Sequence, residues 1–502
     1  MLAARMPHRA PRALSDTAVA VGRGVPRARA RPPATATAER ARRHLVHVVL
    51  IIYLLAIFEG SLRKYVAPQF GAYIFFIRDP FLIYAYLLAT RHGLWPRHNA
   101  WFMLSVFMCG FGVLLFVLQS ALGGLDNTRV LLGIYGWRSY FLYVPLAFLV
   151  GAQFKTADLA LFGKVTLWLA LPIALLVALQ FASPQNAAIN VGVSEDKDLQ
   201  FQGIGLDAER IRPTGPFTSP TGQSQFVTTA TVFLLALLLL PAARRKFGRL
   251  MLTMSAGAIL TCVALGGSRG TTLSCALVGL FAMGLGFIGR GAALKARALA
   301  LPTALAVIAA VLYPIVFPVG FQAFMNRWDA AASAEQGIEG GVFGRALYGF
   351  IDFFRLVETV PPMGYGLGYG GNASITLGAM VDGVAPGKLV ETDFARHMVD
   401  LGPAFGLCYI AFRFGLTIWL LRLVLQATRR VSDPLPMLLF AFASYVLLLG
   451  QLTGHGTINV YGWLFTGLCI AASREALAST RSPLTAMRHP SRFPIPLRKR
   501  LQ

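Results

Sequence analysis

The chain has 502 residues, of which 56% are hydrophobic and 14% are charged. Its mean hydropathy of +0.60 places it among polytopic membrane proteins rather than soluble domains. The formal net charge of +24 would indicate a nucleic-acid partner in a soluble protein. Here much of that charge lies in the two tails and in short loops, where it sets membrane orientation, and we expect no nucleic-acid partner.

The two ends of the chain are basic tails. Residues 1–43 contain ten arginines but only Asp16 and Glu39 as acidic residues, together with many alanines and prolines. This composition predicts a disordered cytoplasmic tail. The segment is too long and too rich in arginine for a simple signal peptide, and a transit peptide is the weaker alternative. Residues 474–502 are predicted to form a second basic cytoplasmic tail.

Between the tails, residues 44–473 are predicted to form a transmembrane domain of about twelve helices, because the apolar runs are close to the length that spans a bilayer. The predicted spans are 44–61, 71–90, 99–122, 130–152, 158–181, 223–241, 250–266, 271–289, 299–319, 398–421, 434–452 and 457–473. In the second of these, Arg78 and Asp79 stand directly before Pro80. Charges followed by a proline predict a broken or re-entrant element.

Lysine and arginine sort the connections of this domain onto two sides. The strongly basic loops fall on the side of the N-terminal tail, and they are 91–98, 244–249, 290–297 and 422–430. By the positive-inside rule this side is the cytoplasm, so both termini are predicted to be cytoplasmic. The opposite, external side receives the two long loops, 182–222 and 320–397.

Several arginines belong to the external side. Arg210 and Arg212 lie in "DAERIRPTGPFTSP", before the sixth span, and Arg269 lies in "GGSRG", between the seventh and eighth spans. A lone arginine at such an interface is often a snorkelling anchor or a helix cap, and that alternative stays open for each of them. The second long loop opens with a predicted amphipathic helix at 345–358. Its polar face carries Arg345, and its apolar face can rest on the outer leaflet.

The same external mouth receives acidic and histidine side chains. They come, with Arg396, from "VETDFARHMVDLGPAFGL" and from the loop before the last span, and they are Glu391, Asp393, His397 and His455. Arginine suits a diphosphate, because its guanidinium donates two hydrogen bonds and stays charged. A carboxylate or a histidine can take the proton of an attacking hydroxyl. No group of these residues has the spacing of metal ligands, so we expect no metal.

Three stretches together resemble the O-antigen ligase and O-antigen polymerase superfamily of bacterial envelope glycosyltransferases. They are "RPTGPFTSP", "GGSRG", and "MGYGLGYGGN" followed by "ETDFARHMVDLGPAFG". The resemblance implies the all-helical C-type glycosyltransferase fold in the bacterial inner membrane, no metal and no cofactor, and an undecaprenyl-diphosphate-linked oligosaccharide as donor. Carried over, Arg212 and Arg269 hold the diphosphate, and Glu391 activates the hydroxyl of a glycan or lipid-linked acceptor.

The chain departs from the family pattern at the expected base. The family's ligases carry a histidine followed by Asn, Ser or Gln, then nine residues, then glycine. Counting back from Gly402, the histidine position is Glu391, followed by Thr392, and His397 lies six residues later. Glu391 is preferred as the base, and His397 stays open as the alternative. The glycines of 361–372 have no strand–helix unit around them and are interpreted as a structural turn, not as a nucleotide loop.

The leading prediction is an all-α membrane glycosyltransferase, a polymerase or a ligase, with Arg212, Arg269 and Glu391 as catalytic residues. The predicted substrate-binding residues are Arg210, Arg345, Arg396 and His397. The alternative is a transporter or flippase for a lipid-linked or anionic substrate, which should have charged, broken helices meeting at the midplane. Charged groups concentrate at one mouth instead, apart from Arg78–Asp79, Arg138 and Arg413. This favours a surface enzyme over a transporter, and also over a membrane protein with a purely structural role.

Overall fold

The computed structural model describes residues 36–192, 203–204, 210–241, 247–334, 344–381, 383–390 and 392–480. Most of these residues are helical. In chain order the α-helices are Ala36–Ser61 (α1), Gly71–Ile74 (α2), Asp79–Arg91 (α3), Ala100–Gly123 (α4), Asn127–Trp137 (α5), Val144–Gln153 (α6), Thr156–Ala182 (α7), Pro220–Leu239 (α8), Arg249–Leu265 (α9), Arg269–Ile288 (α10), Ala292–Val316 (α11), Pro318–Ala334 (α12), Gly344–Ile351 (α13), Asn372–Thr376 (α14), Asp393–Arg430 (α15), Leu435–Leu449 (α16) and Gly456–Ser479 (α17).

Length and composition identify the membrane-crossing candidates. Within the described ranges, seven helices are long and apolar enough to cross a membrane, and they are α1 with its extension to Val66, α4, α7, α8, α10, α11 and α15. Several expose large apolar side chains, such as Phe107 (68% exposed) and Phe287 (74% exposed). Such surfaces are expected where lipid replaces water. The protein is therefore an all-helical membrane protein, and the count of about twelve spans stays a prediction.

The first helix begins earlier than the predicted span. α1 starts at Ala36, inside the segment 1–43 that was expected to be a disordered tail. Its first turns are held by Arg42, whose Nη2 lies 3.0 Å from Glu39 Oε1 and whose Nη1 lies 2.5 Å from Asp158 Oδ2 at the start of α7. The partner on α7 is distant in sequence, so the extra turns could not be expected from the local composition. Residues 1–35 and 481–502 lie outside the described residues.

The second predicted span is broken at the predicted place. A short α2 is followed by turns, and α3 begins at Asp79 with Pro80 in its first turn. The Nη2 atom of Arg78 lies 2.9 Å from Oε2 of Glu59. The Nε atom of Arg138, directly after α5, lies 2.5 Å from Oδ2 of Asp79. Each charge at the break therefore has an opposite charge on another helix, as buried ions require.

The last helix, α17, lies in the interior of the bundle. It packs against α6, α16 and α15, and its side chains, including Trp463, are buried along most of its length. Gly467 permits the close contact with α6, because a Cβ atom there would lie 2.8 Å from Cβ of Val150. A helix that is apolar on all sides is buried in this way.

Helix α15 is two helices joined at a kink. Gly402 has φ 79° and ψ 166°, outside the helical region, and Pro403 follows it. Proline has no N–H to continue the helical hydrogen bonds, and a positive φ favours glycine. The loop 361–364 passes through the space that a side chain would need, since a Cβ on Gly402 would lie 2.7 Å from N of Gly364. The kink therefore gives the loop a place beside the helix.

In the residues that the structure describes, the segments predicted to be external contain little regular structure besides helix. Gly203–Ile204 and Arg210–Ile211 form an antiparallel pair of two-residue strands, which is a minor addition to an otherwise helical fold. The predicted amphipathic helix at 345–358 is α13 followed by a 3₁₀ turn at Asp352–Leu356. Asp352 in this turn is buried and accepts a hydrogen bond from Thr392 Oγ1 at 3.1 Å.

Candidate functional site

The loop that carries the first arginine motif lies on the end of α1. Gly60 faces the backbone of residues 216–218, and a Cβ atom there would clash with that backbone. In the π-helical turn after α1, the Lys64 ammonium donates hydrogen bonds to Thr214 Oγ1 and to the Phe217 carbonyl, both at 2.5 Å. Lys64 is buried. These contacts fix the "RPTGPFTSP" segment, residues 212–220, against a buried cation that the sequence did not indicate.

A small cleft opens beside this contact. Its walls come from α1, α7 and the two loops of residues 183–192 and 211–218, and it is lined by Lys64, Gln180, Asn190, Val191, Gly192, Ile211, Arg212, Thr214 and Thr218. Arg212, which is half-buried, follows directly on the strand Arg210–Ile211. The cleft combines two cations with amide and hydroxyl groups. Such a donor set suits the oxygens of an anion such as a phosphate. The enclosed space of about 10 Å³ holds no more than one water-sized group, so a diphosphate would bind at the opening of the cleft or after it widens.

The second arginine motif lies at the same end of the bundle. Arg269 is half-buried at the first turn of α10, where Ser268 caps the helix by accepting from Thr271 N at 3.4 Å. The guanidinium of Arg269 lies 5.6 Å from the ring centroid of Trp328 on α12, a cation–π distance. The hydroxyls of Ser224 and Thr271 are 2.5 Å apart and join the first turns of α8 and α10.

These contacts relate Arg269 to Arg212. Helix α8 begins directly after the segment 212–219, and α12 contacts the strand Gly203–Ile204, which pairs with Arg210–Ile211. Arg212 and Arg269, predicted from separate motifs, therefore lie at one end of the bundle. Arg269 contacts the ring of Trp328, whereas the alternative interpretation of this arginine was a snorkelling anchor at the membrane surface.

A second group of charges lies next to the cleft. Glu59 at the end of α1 lies 3.4 Å from Arg63 Nη1 and 2.9 Å from Arg78 Nη2. Arg78 also donates to the carbonyl of Gly456 at 3.5 Å, and the neighbouring His455 has its Nε2 atom 3.1 Å from Ser219 Oγ. His455 is half-buried. Burial and the charges of nearby arginines lower the pKa of His455 to about 4, so this imidazole is neutral at neutral pH.

Arg396 contacts the 451–455 connection, which also carries His455. Its Nε donates to the carbonyl of Gly370 at 2.9 Å, and its Nη1 lies 3.4 Å from Oδ1 of Asp393. A Cβ atom on Gly454 would overlap the Nη1 atom of Arg396, so the guanidinium occupies the space that a side chain at 454 would fill. Arg396 is thus buried between the glycine-rich loop and the 451–455 connection. We expect it to position these segments and to contribute positive charge.

His397 occupies an interior position. Arginine only donates, so the Arg413 Nη1 atom donates to His397 Nε2 at 2.9 Å. The Nδ1 atom then carries the proton and donates to Tyr140 Oη at 3.1 Å. Tyr140 in turn donates to Asp400 Oδ2 at 3.0 Å. His397 is fully buried with both nitrogens engaged, so this geometry gives it a structural hydrogen-bonding role and does not favour the predicted substrate-binding role.

Asp393 is the acceptor at the centre of this interior network. Its carboxylate accepts from Arg413 Nη1 at 2.5 Å, from Thr453 Oγ1 at 2.8 Å and from the backbone N of Leu452 at 3.0 Å. Arg413 also donates to carbonyl oxygens at the end of α16. The sequence signal for this network was Arg413 inside an apolar span, because a buried arginine requires a buried partner.

The glycine-rich stretch 361–372 packs as a structural turn. Gly364, Gly366 and Gly368 have positive φ angles of 72°, 138° and 85°. The Gln119 side chain donates to the Met363 carbonyl at 2.7 Å and accepts from the backbone N of Leu367 at 3.0 Å. The loop is therefore bound along its length by α4 and α15, which fits the structural interpretation.

The structure describes the remaining predicted site residues only in part or not at all. Glu391, the preferred base, lies outside the described residues. Arg210 and Arg345 lie on the described backbone, in the second strand and in α13, while their side chains are outside the description. In the part of the chain that the structure describes, no group of three or more His, Cys, Asp or Glu residues is placed to hold a metal ion.

No protein-family model matches this chain, and no curated protein matches it either. The fold and the end of the bundle that carries Arg212 and Arg269 together define an all-helical membrane protein with clustered buried and half-buried cations. The resemblance to the O-antigen ligase and polymerase superfamily stays a prediction.

Proposed function

We propose that the protein transfers a glycan from a lipid-diphosphate carrier to a sugar hydroxyl at the external face of the membrane. The observation that carries this proposal is the cleft in which Lys64 and Arg212 lie together. The donor would be an undecaprenyl-diphosphate-linked oligosaccharide, and the acceptor a glycan or a lipid-linked glycan. The reaction would be that of a polysaccharide polymerase or ligase in the bacterial inner membrane.

The chemistry requires stabilisation of a diphosphate leaving group. The acceptor oxygen forms a bond to the anomeric carbon, the bond from that carbon to the diphosphate oxygen breaks, and the electron pair leaves with the polyprenyl diphosphate. Fixed cations beside the leaving oxygens stabilise the charge that develops there. We assign this role to Lys64 and Arg212, with Arg269 reinforcing it from the start of α10. The acceptor proton goes to a base, for which Glu391 remains the proposal.

The membrane surface provides a route for the lipid carrier. Leu347, Ile351 and Phe354 in and after α13 are 60%, 48% and 62% exposed. Exposed apolar side chains on a short amphipathic helix favour a position at the lipid–water interface. A lipid-linked donor held in the outer leaflet would present its diphosphate at this depth.

The alternative, a transporter or flippase, relies on charges inside the bundle. The pairs Asp79–Arg138 and Asp393–Arg413 are buried. In both pairs the carboxylate also accepts a hydrogen bond from a neighbouring tyrosine or threonine hydroxyl. Such completed contacts indicate a structural role, whereas a transport site needs groups that exchange partners with a substrate. The external transferase is therefore the better supported proposal.

The proposal is tested by replacing the two cations of the cleft. In membranes that contain lipid-linked glycan and acceptor, Arg212→Gln and Lys64→Gln should each reduce glycan transfer by at least about tenfold, as expected for loss of a charge-assisted contact. Arg97→Gln removes the same charge from an exposed position in the 91–98 loop and should leave the rate unchanged. Equal rates of glycan transfer for all variants at equal protein levels would show that the cleft takes no part in the reaction.

A further inference from the structure

The end of α1 and the start of α3 hold more positive than negative charge. Arg63 and Arg78 share the carboxylate of Glu59, at 3.4 and 2.9 Å. Lys64, next to Arg63, donates to a hydroxyl and a carbonyl oxygen, which are both neutral. Arg78, Lys64 and Glu59 are buried. Taking charges out of water is costly unless they are paired, and here two guanidinium groups share one carboxylate, so the cluster indicates an anionic ligand.

Unsatisfied donors lie in the same place. In the described part of the chain, the Nε atoms of Arg63 and Arg78 are buried and make no hydrogen bond, and the same holds for Nδ1 of His455. A buried polar atom without a partner costs about 1–3 kcal/mol. Both arginines contact one carboxylate, and Arg78 donates to the residue after His455. The three residues therefore lie close together.

His455 fits this cluster as a neutral hydrogen-bond donor. The Ser219 hydroxyl can donate to His455 Nε2, which lies 3.1 Å away. Nδ1 then carries the proton and is a donor that lacks an acceptor in the protein. A phosphate oxygen is a suitable acceptor, because it also accepts from guanidinium groups.

We propose that Arg63, Arg78 and His455 form an anion pocket, the Arg63–Arg78–His455 pocket, that binds a phosphate group. Glu59 orients the two guanidinium groups, and Lys64 connects the pocket to the cleft that contains Arg212. The pocket rests on the proposed function only in assigning the phosphate to a lipid-diphosphate carrier. The binding of an anion does not depend on catalysis.

The pocket is tested by binding rather than by turnover. The full-length protein in lipid nanodiscs would be titrated with farnesyl diphosphate, with farnesol, which lacks the phosphates, and with inorganic diphosphate, which lacks the lipid. The variants are Arg63→Gln and Arg78→Lys, the second of which keeps a charge for Glu59 but removes the guanidinium donors. Arg97→Gln is the control with the same loss of charge as Arg63→Gln.

The wild-type protein should bind farnesyl diphosphate at least about tenfold more tightly than farnesol, and each pocket variant should lose at least about tenfold of that affinity. Arg97→Gln should bind like wild type. If inorganic diphosphate also binds and its binding depends on the same residues, this would support the pocket and would show that it recognises the anion without the lipid. Folded variants with wild-type affinity, or equal wild-type affinity for farnesyl diphosphate and farnesol, would overturn it. Arginine-dependent binding in a protein that transfers no glycan would support the pocket while refuting the proposed reaction.

Discussion

Asp393 and Arg413 are 20 positions apart on one kinked helix, and Oδ2 of Asp393 lies 2.5 Å from Nη1 of Arg413. The pair connects the part of α15 before the kink to the part after it. Arg413 also donates to carbonyl oxygens at the end of α16, and Asp393 accepts from the backbone of the 451–455 connection. These contacts fix the segment that carries Arg396 against the end of α16 and the 451–455 connection.

Asp393→Asn is expected to destabilise the protein strongly. The change leaves the Arg413 guanidinium buried without an opposite charge, and breaking a buried ion pair costs about 3–5 kcal/mol. Thermal unfolding in detergent measures the effect. Glu358→Gln, at an exposed carboxylate, is the control and should leave the unfolding temperature nearly unchanged. A loss below about 1 kcal/mol in Asp393→Asn would show that the pair contributes little.

Gly402→Ala is expected to disturb the kink of α15. The positive φ of Gly402 is unfavourable for alanine, and the new Cβ would press on the 361–364 loop. We expect a loss of about 1–3 kcal/mol from the backbone conformation, with the steric contact in addition. Gly257→Ala lies in a helix where a Cβ meets no atom within 4 Å, and it should be neutral or slightly stabilising. Equal stability of the two variants would contradict this account of the kink.

Gly454→Ala is expected to displace Arg396. The added Cβ would occupy the position of the Arg396 guanidinium, and overpacking of this kind costs about 1–3 kcal/mol. The decisive measurement is a double-mutant cycle with Arg396→Ala, in which thermal unfolding gives the stability of each variant. Removal of the arginine should relieve part of the cost of Gly454→Ala, because the two groups compete for one space. Strictly additive losses would mean that Arg396 moves aside freely.

His455 is expected to make stability depend on pH. Burial, Arg78 and Arg396 lower its pKa from 6.5 to about 4 in the folded protein. The unfolded chain therefore binds the proton more readily, so the contribution of His455 is complete above about pH 6.5 and is lost as the pH falls toward 4. The loss is on the order of 1–3 kcal/mol, reduced by the partial exposure of the ring.

The measurement compares wild type with His455→Asn, because other groups also titrate in this range. Asparagine cannot take up the proton, so the difference in unfolding free energy between the two proteins should decrease from pH 7 to pH 4.5. A difference that stays constant across this range would show that the pKa of His455 is not lowered in the folded protein.

The membrane architecture could be predicted from the sequence because it depends on local composition. Apolar runs predicted helices, and Arg78 and Asp79 next to Pro80 predicted the break in the second span. The order of the arginine motifs predicted that Arg212 and Arg269 belong to one end of the molecule. These signals lie within short windows, which predict that a helix is present more reliably than where it begins and ends: α1 begins at Ala36 rather than at residue 44.

The partners of the charged residues could not be predicted in the same way. Lys64 contacts Thr214 across 150 positions, and His455 contacts Ser219 across 236. Such pairs are set by helix packing, which leaves no local pattern. Arg413 stood out as a charge in an apolar span, but neither its partner Asp393 nor its contact with His397 followed from spacing. The burial of His397 was missed for this reason.

The most direct test of the proposed function follows the fate of the donor in proteoliposomes that contain only the purified protein. Lipid-diphosphate-linked oligosaccharide labelled in its glycan would be supplied with an acceptor glycan. We predict that the label becomes attached to the acceptor and that polyprenyl diphosphate is released, at a rate that falls at least about tenfold in Arg212→Gln. Intact labelled donor that crosses the bilayer without any glycan transfer would contradict the proposed transferase and establish the transporter instead.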